Sequence, residues 1–204
     1  MSQLIACAAH EGVLLASDSR SVFFEPSGEE RFISLDRIVV YSSHIALASA
    51  GAMEAHDLCQ EFAAFAKGEK ITEVNALIDA AIPYFTGKVD EALRKMCEKL
   101  PLDPIINMYL VVAGYSSQAG AQLFVIWDRP KPPKIEYNRV THIFTLPRRM
   151  GLEAKLGQLI NQKAPLTQLA GIAHAALEKL AAQDDYVAPP FKLVAITPRG
   201  VAAV

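Results

Sequence analysis

Cysteine is scarce in this chain. There are three in 204 residues, Cys7, Cys59 and Cys97, odd in number and far apart. That count argues against a disulfide framework, and the apolar surroundings of two of them favour buried, reduced thiols. The five histidines, His10, His44, His56, His142 and His174, share no ligand-like interval, and no Cys/His arrangement has metal-motif spacing, so no metal is expected. No glycine-rich phosphate loop is present. Ser116-Ser-Gln-Ala-Gly120 carries one glycine and reads as a turn, so no nucleotide cofactor is expected.

Long apolar runs are missing too. None approaches the ~18 residues of a membrane span, and the N-terminus has neither a basic n-region nor a long apolar h-region, so no signal peptide is expected. A cytoplasmic protein follows as the expectation. Excess charge of one sign is absent as well: the formal charge is −2, which gives no pull toward nucleic acid or anionic lipid. The locally basic stretch 128–150, with Arg129, Lys131, Lys134, Arg139, Arg148 and Arg149, reads as a solvated edge or a subunit contact.

What the chain does have is apolar content, 51% of residues, enough at this length for one domain over 1–204 with a sizeable core. Gln3–Ala9 and Val13–Ser19 are nearly continuous apolar runs, as expected of strands covered on both faces. The turn between them lies near His10-Glu11-Gly12, where glycine supplies the positive φ of a tight hairpin. Folding about that point brings Ser2 opposite residues 18–19, so a hydroxyl near the chain start would lie beside Asp18.

Ser21–Glu30, with Pro26-Ser27-Gly28, reads as an exposed loop. Strand chemistry resumes over Arg31–Asp36, Ile38–Tyr41 and, after a turn at Ser42-Ser43-His44, Ile45–Ala50 ending at Gly51. Amphipathic spacing over Met53–Lys67 and from Thr72 onward predicts two helices, the second kinked at Pro83 and solvated over Lys88–Lys99. Ile105–Tyr115 and Gln122–Trp127 read as a strand pair, Arg129–Pro133 as a loop, and Lys134–Asn138 and His142–Leu146 as short strands. Gly151–Lys163 and Leu166–Ala182 are helices, and Phe191–Thr197 is a last strand before Pro198-Arg-Gly200. Neighbouring strands joined by short turns imply antiparallel sheets, and helix pairs between blocks of strands imply helices over their outer faces. The fold class is therefore α+β, a four-layer αββα sandwich of two antiparallel sheets.

The opening hairpin, with Val13-Leu-Leu-Ala-Ser-Asp18-Ser-Arg20, is similar to the first hairpin of proteasome β-type subunits, which are N-terminal-nucleophile (Ntn) hydrolases. The similarity extends through Arg31-Phe-Ile-Ser-Leu-Asp36, the Ile45–Gly51 strand leading into a helix, Leu110-Val-Val-Ala-Gly114, and the closing helix pair before Leu193-Val-Ala-Ile-Thr197. The motifs are short, and their joint order and spacing carry the resemblance.

The resemblance implies the Ntn-hydrolase fold and a nucleophile at the first residue of the mature chain, with its own α-amine as general base. The nucleophile position falls on Ser2, the aspartate on Asp18, the family's lysine on Arg31 and the oxyanion-hole N–H on Gly51. Near the last helices only Asp184 (or Asp185) matches, with Val187 in the place of a serine, and Thr145-Leu-Pro-Arg-Arg149 replaces the family's Ser/Gly-rich loop. Also implied are a peptide or other amide substrate and a homo-oligomer, with ring assembly as its form.

Chemistry gives each residue an alternative role. A small side chain after Met1 permits Met removal, which frees an amine of pKa ~7.7–8.0 able to activate the hydroxyl. Ser2 could equally be an ordinary second residue, and Asp18 a turn cap or a partner of Arg20. Arg31 could be a solvated strand-start residue; in the site it would supply charge without exchanging a proton. Gly51 suits any sharp strand-to-helix junction as well as an oxyanion. The rival to a hydrolase is a non-catalytic proteasome-like subunit that assembles or binds a partner; a small-molecule amidase would share the nucleophile and differ only in its pocket.

Overall fold

The computed structural model describes residues 3–25, 28–99, 108–130 and 133–204. Ser2, Pro26 and Ser27 and the stretch 100–107 lie outside the described residues. The chain is mixed α+β. The first hairpin is β1 (Leu4–Ala9) and β2 (Gly12–Ser17), followed by β3 (Arg20–Phe24), β4 (Glu30–Ser34), β5 (Ile38–Ser42) and β6 (Ile45–Gly51). Two helices come next, α1 (Glu54–Gly68) and α2 (Val74–Lys99), the latter running through Pro83. The strands β7 (Met108–Ser116), β8 (Gly120–Pro130), β9 (Pro133–Arg139) and β10 (Ile143–Leu146) precede α3 (Met150–Asn161) and α4 (Leu166–Ala181). β11 (Lys192–Thr197) and β12 (Gly200–Ala203) end the chain.

Every strand pairing is antiparallel. One five-stranded sheet has the order β10-β1-β2-β11-β12, the other β5-β6-β7-β8-β9, and β3-β4 form a separate two-stranded hairpin. Three differences from the sequence reading stand out. Ser21–Phe24 is a strand and not loop, because Arg20–Phe24 pairs with Glu30–Ser34 to make that hairpin. The segment read as a proline-rich loop is largely strand, since β8 continues to Pro130 and β9 begins at Pro133. An unexpected β12 folds back on β11, with Gly200 at φ +114 taking the chain round.

The two-residue period of the strands sorts the core. On β1, Leu4, Ala6 and Ala8 join one apolar cluster with Ala46 and Ala48 of β6, Val111 and Ala113 of β7, and Leu123 and Val125 of β8. Their neighbours Ile5, Cys7 and Ala9 point the other way, into a cluster with Leu156 of α3 and Leu169, Ala173 and Leu177 of α4. In β6 the alternate residues Ile45 and Leu47 join Phe62 of α1 and Leu77 of α2. Continuous apolar runs in β1, β2 and β6 thus reflect two covered faces. Among the described residues no helix is long and apolar enough to cross a membrane.

The β1–β2 turn depends on a glycine. Gly12 has φ +151, and a Cβ there would lie 2.0 Å from the Ile196 carbonyl oxygen of the adjoining β11. We expect Gly12→Ala to lower stability by roughly 2–4 kcal/mol, from backbone strain plus the clash, measured as a reduced urea midpoint with an unchanged slope.

Burial pushes the thiols of Cys7 and Cys59 up to about 12 from an ordinary 9.0. The unfolded chain therefore ionises first, and the contribution of these thiols to stability, complete below pH 9.0, is lost as pH rises toward 12. In a Cys97→Ser background the native protein should resist a disulfide reagent until denaturant is added, and its stability should fall steadily at alkaline pH.

Candidate functional site

β1 begins and β2 ends at the same edge of their sheet, since Leu4 is registered with Ser17. One step further along this ladder, Gln3 and Asp18 exchange hydrogen bonds. The Gln3 N–H, on the nitrogen that joins residue 3 to residue 2, donates to Asp18 Oδ1 at 2.8 Å, and the Asp18 N–H donates to the Gln3 carbonyl at 3.2 Å. Asp18 Oδ2 accepts from the N–H groups of Arg20 at 3.0 Å and Ala188 at 3.4 Å. The carboxyl is buried. Three amides from three separate segments therefore converge on a side chain with no access to bulk water.

Arg37 acts on this carboxyl through space, within electrostatic reach of it and without a direct ion pair. It stands just before β5, only 2% exposed, and Nη2 donates to the Arg20 carbonyl at 2.8 Å. Burial pushes the Asp18 carboxyl above its ordinary value, while the three N–H donors and the Arg37 charge pull it back. Burial likewise pulls Arg37 down, and the Asp18 charge opposes that. A guanidinium does not give up its proton in a protein, so the adjustable member of the pair is the carboxyl. The backbone ties Arg37 to the second five-stranded sheet, because the Ser49 N–H of β6 donates to the Arg37 carbonyl at 3.0 Å.

The structure handles the remaining sequence candidates differently. Arg31 is not brought to Asp18: it lies on β4 opposite Phe23, 71% exposed, with Nη1 3.6 Å from Glu25 Oε1. The family resemblance put the lysine position on Arg31; the β3–β4 hairpin keeps that residue at the surface, and Arg37 is the first arginine after the hairpin. Gly51 closes β6 with φ +91, two residues beyond the Ser49 amide bonded to Arg37, and α1 starts three residues later.

Asp184 is reached through two side chains. Its Oδ2 lies 3.9 Å from Arg149 Nη2, and Arg149 Nε donates to Gln3 Oε1 at 3.0 Å. Gln3 Nε2 donates in turn to the carbonyl of Pro147 at 3.1 Å. The Asp185 carbonyl accepts from Arg20 Nη1 at 2.5 Å, and Val187 is buried. Ser2 lies outside the described residues.

Arg37, Gln3 and Arg149 were missed in the sequence. Arg149 sat in a stretch read as solvated edge, which suits Arg148, bonded to Glu153 at 3.1 Å and largely exposed, but not Arg149. The usable signal for Arg37 was its place at the head of the apolar Ile38–Tyr41 run, where a charge next to a buried strand needs a partner. Among the described residues no group of three or more His, Cys, Asp or Glu could hold a metal ion. No family model matches the chain, and no curated protein matches it either.

The arrangement is two opposite charges buried within electrostatic reach of each other, the carboxyl locked to the backbone just after residue 2. Removing one partner of such a pair strands the other. Asp18→Asn should cost roughly 3–5 kcal/mol. Arg37→Met should cost a similar amount near neutral pH. A raised carboxyl contributes stability below its ordinary 3.8 that is lost as pH rises through the folded value. Lowering the pH from about 7 to about 5 should therefore narrow the gap between Arg37→Met and wild type by protonating the stranded carboxyl, and leave the Asp18→Asn deficit largely unchanged. Urea melts at the two pH values check this.

Proposed function

We propose that this chain is an N-terminal-nucleophile hydrolase of the proteasome-like kind, a single domain over 1–204 that cleaves a peptide or other amide bond with Ser2 after removal of Met1. The observation that carries the reading is the 2.8 Å hydrogen bond from the Gln3 N–H to the buried Asp18 carboxyl. It fixes the backbone one bond from the proposed nucleophile against a buried carboxyl on which the Arg37 charge acts through space. The Ntn-type four-layer αββα sandwich is supported by the three apolar clusters. One joins a helix pair to a sheet, one lies between residues of the two five-stranded sheets, and one joins the other sheet to the second helix pair.

In this mechanism the Ser2 hydroxyl attacks the amide carbonyl while the α-amine takes its proton. The N–H of Gly51 holds the oxyanion. The ammonium then returns the proton to the leaving amine, and an acyl ester on Ser2 remains. Water, deprotonated by the same amine, cleaves that ester and frees the carboxylic acid. Arg37, in place of Arg31, supplies fixed positive charge that lowers the amine's pKa toward neutrality. Asp18 holds the backbone of residue 3 and balances the Arg37 charge through space. Asp184 acts at a distance, orienting Gln3 through Arg149.

The second reading is a non-catalytic proteasome-like subunit with a structural or partner-binding role in a cytoplasmic homo-oligomer. It is favoured by the guanidinium itself, which cannot exchange a proton as an ammonium can. Intact-mass analysis of the protein from its own cell separates the two. The hydrolase requires a mass lacking Met1 with a free amine, and a single β-lactone or peptide epoxyketone adduct that is lost in Ser2→Ala. Retained Met1 or an acetylated amine sinks it. A free Ser2 that forms no adduct and hydrolyses no amide leaves the non-catalytic subunit as the reading.

A further inference from the structure

The far end of the sheets, opposite Gln3 and Gly51, carries a second group of reactive side chains. β6 has Gly51 at one end and Ile45 at the other, about 20 Å apart at the rise of a strand. Just before Ile45, the turn Ser43-His44 joins β5 to β6. One strand from each five-stranded sheet pins it. The Val201 N–H of β12 donates to the Ser43 carbonyl at 2.7 Å, and the Tyr115 N–H of β7 donates to the His44 carbonyl at 3.0 Å.

On this fixed backbone Ser43 Oγ lies 2.9 Å from His44 Nδ1, and His44 Nε2 lies 3.3 Å from the Pro198 carbonyl oxygen. A carbonyl can only accept, so Nε2 carries the proton in that contact. In the neutral ring Nδ1 then holds the lone pair, and the Ser43 hydroxyl donates to it. Hydroxyl, imidazole base and an acceptor that sets the tautomer stand in the order that nucleophilic serine chemistry uses. Ser43 is exposed, not sealed in the core.

Both side chains line a cleft of about 670 Å³, whose walls also include Thr72, Glu73, Tyr115 and Ser117. That volume suits a small organic molecule. The only charged side chain in the lining is the Glu73 carboxylate, with no lysine or arginine, which disfavours an anionic ligand. The Pro198 carbonyl orients the imidazole but brings no full negative charge to stabilise an imidazolium. That favours an ester, with its easier leaving group, over an amide.

We propose that Ser43 and His44 form a second nucleophilic site, one that cleaves an uncharged carboxylic ester. Ser43 Oγ attacks the ester carbonyl carbon as its proton passes to His44 Nδ1. The C–O bond to the alcohol breaks, His44 returns the proton to the departing oxygen, and an acyl ester on Ser43 remains. Water then attacks that ester and gives a proton to His44, which passes it to Ser43 Oγ as the carboxylic acid leaves. The site does not rest on the hydrolase reading.

The test is therefore made in the full chain carrying Ser2→Ala. The probe is an uncharged alkyl fluorophosphonate: Ser43 Oγ bonds to phosphorus, fluoride leaves, and His44 takes the proton. A single adduct on Ser43 is expected by peptide mass analysis, along with release of p-nitrophenol from p-nitrophenyl acetate. Adding Ser43→Ala should abolish both. His44→Gln should slow labelling about a hundredfold or more through loss of the base, with an unchanged thermal midpoint because the turn is held by its backbone. Ser117→Ala, at an exposed serine of the same cleft, should leave labelling as it was. No adduct, an adduct on another residue, or labelling that persists at full rate in His44→Gln would overturn the site, and none of these outcomes bears on Ser2.

Discussion

The Asp18 carboxyl and the Arg37 guanidinium are both buried and lie within electrostatic reach of each other. Each buried ion costs several kcal/mol even after relaxation, and that cost is offset by the opposite charge nearby and by the hydrogen bonds each group makes. Asp18 draws in amides from residue 3, from Arg20 at the start of β3 and from Ala188 before β11. Arg37 anchors the Arg20 carbonyl from the other side. Four segments far apart in sequence are thus held at one point, and each must arrive in register for the charges to be tolerated.

The apolar core delivers them in register. The cluster to which both five-stranded sheets contribute is rich in alanine, with Ala6, Ala8, Ala46, Ala48, Ala50 and Ala113, so the backbones can approach closely. Asp18 belongs to one sheet edge and Arg37 to the approach to the other, and the Ser49 amide fixes Arg37 to β6. Arg37 is thereby held at the end of β6 where Gly51 also lies. Helix packing acts on this indirectly, by engaging the alternate residues of β1, β2 and β6 in separate clusters.

The strands buried on both faces were legible because nothing but a covered strand makes sense of Leu4–Ala9 or Ile45–Ala50. The helices were legible from their period. β3 was hidden because Pro26, Gly28 and two glutamates close behind it gave a stronger local turn signal than the four residues Ser21–Phe24 gave for a strand; its partner is supplied by the hairpin, not by the core. β12 was hidden for the same reason, as four residues with small side chains after a glycine. Asp18 could be found because hairpin geometry fixes it relative to residue 3. Its cation could not, because which of Arg31 and Arg37 turns inward is decided by where the two-stranded hairpin inserts, and no periodicity in the sequence records that.

The identity of the cation bears on the chemistry that the site can support. A lysine in a buried pair can lose its proton to a neighbour, so two groups and a terminal amine would share the protons among them. Arginine removes that freedom. With Arg37 fixed as a cation, the groups left to change protonation in the proposed hydrolase are the α-amine of Ser2 and the Asp18 carboxyl, which burial already biases toward its neutral form. In the proposed hydrolase, a proton on Asp18 would leave the Arg37 charge unbalanced, and an amine close to it would hold its own proton less well and stay unprotonated to lower pH. A site built on a guanidinium is in this sense tuned by the proton on Asp18.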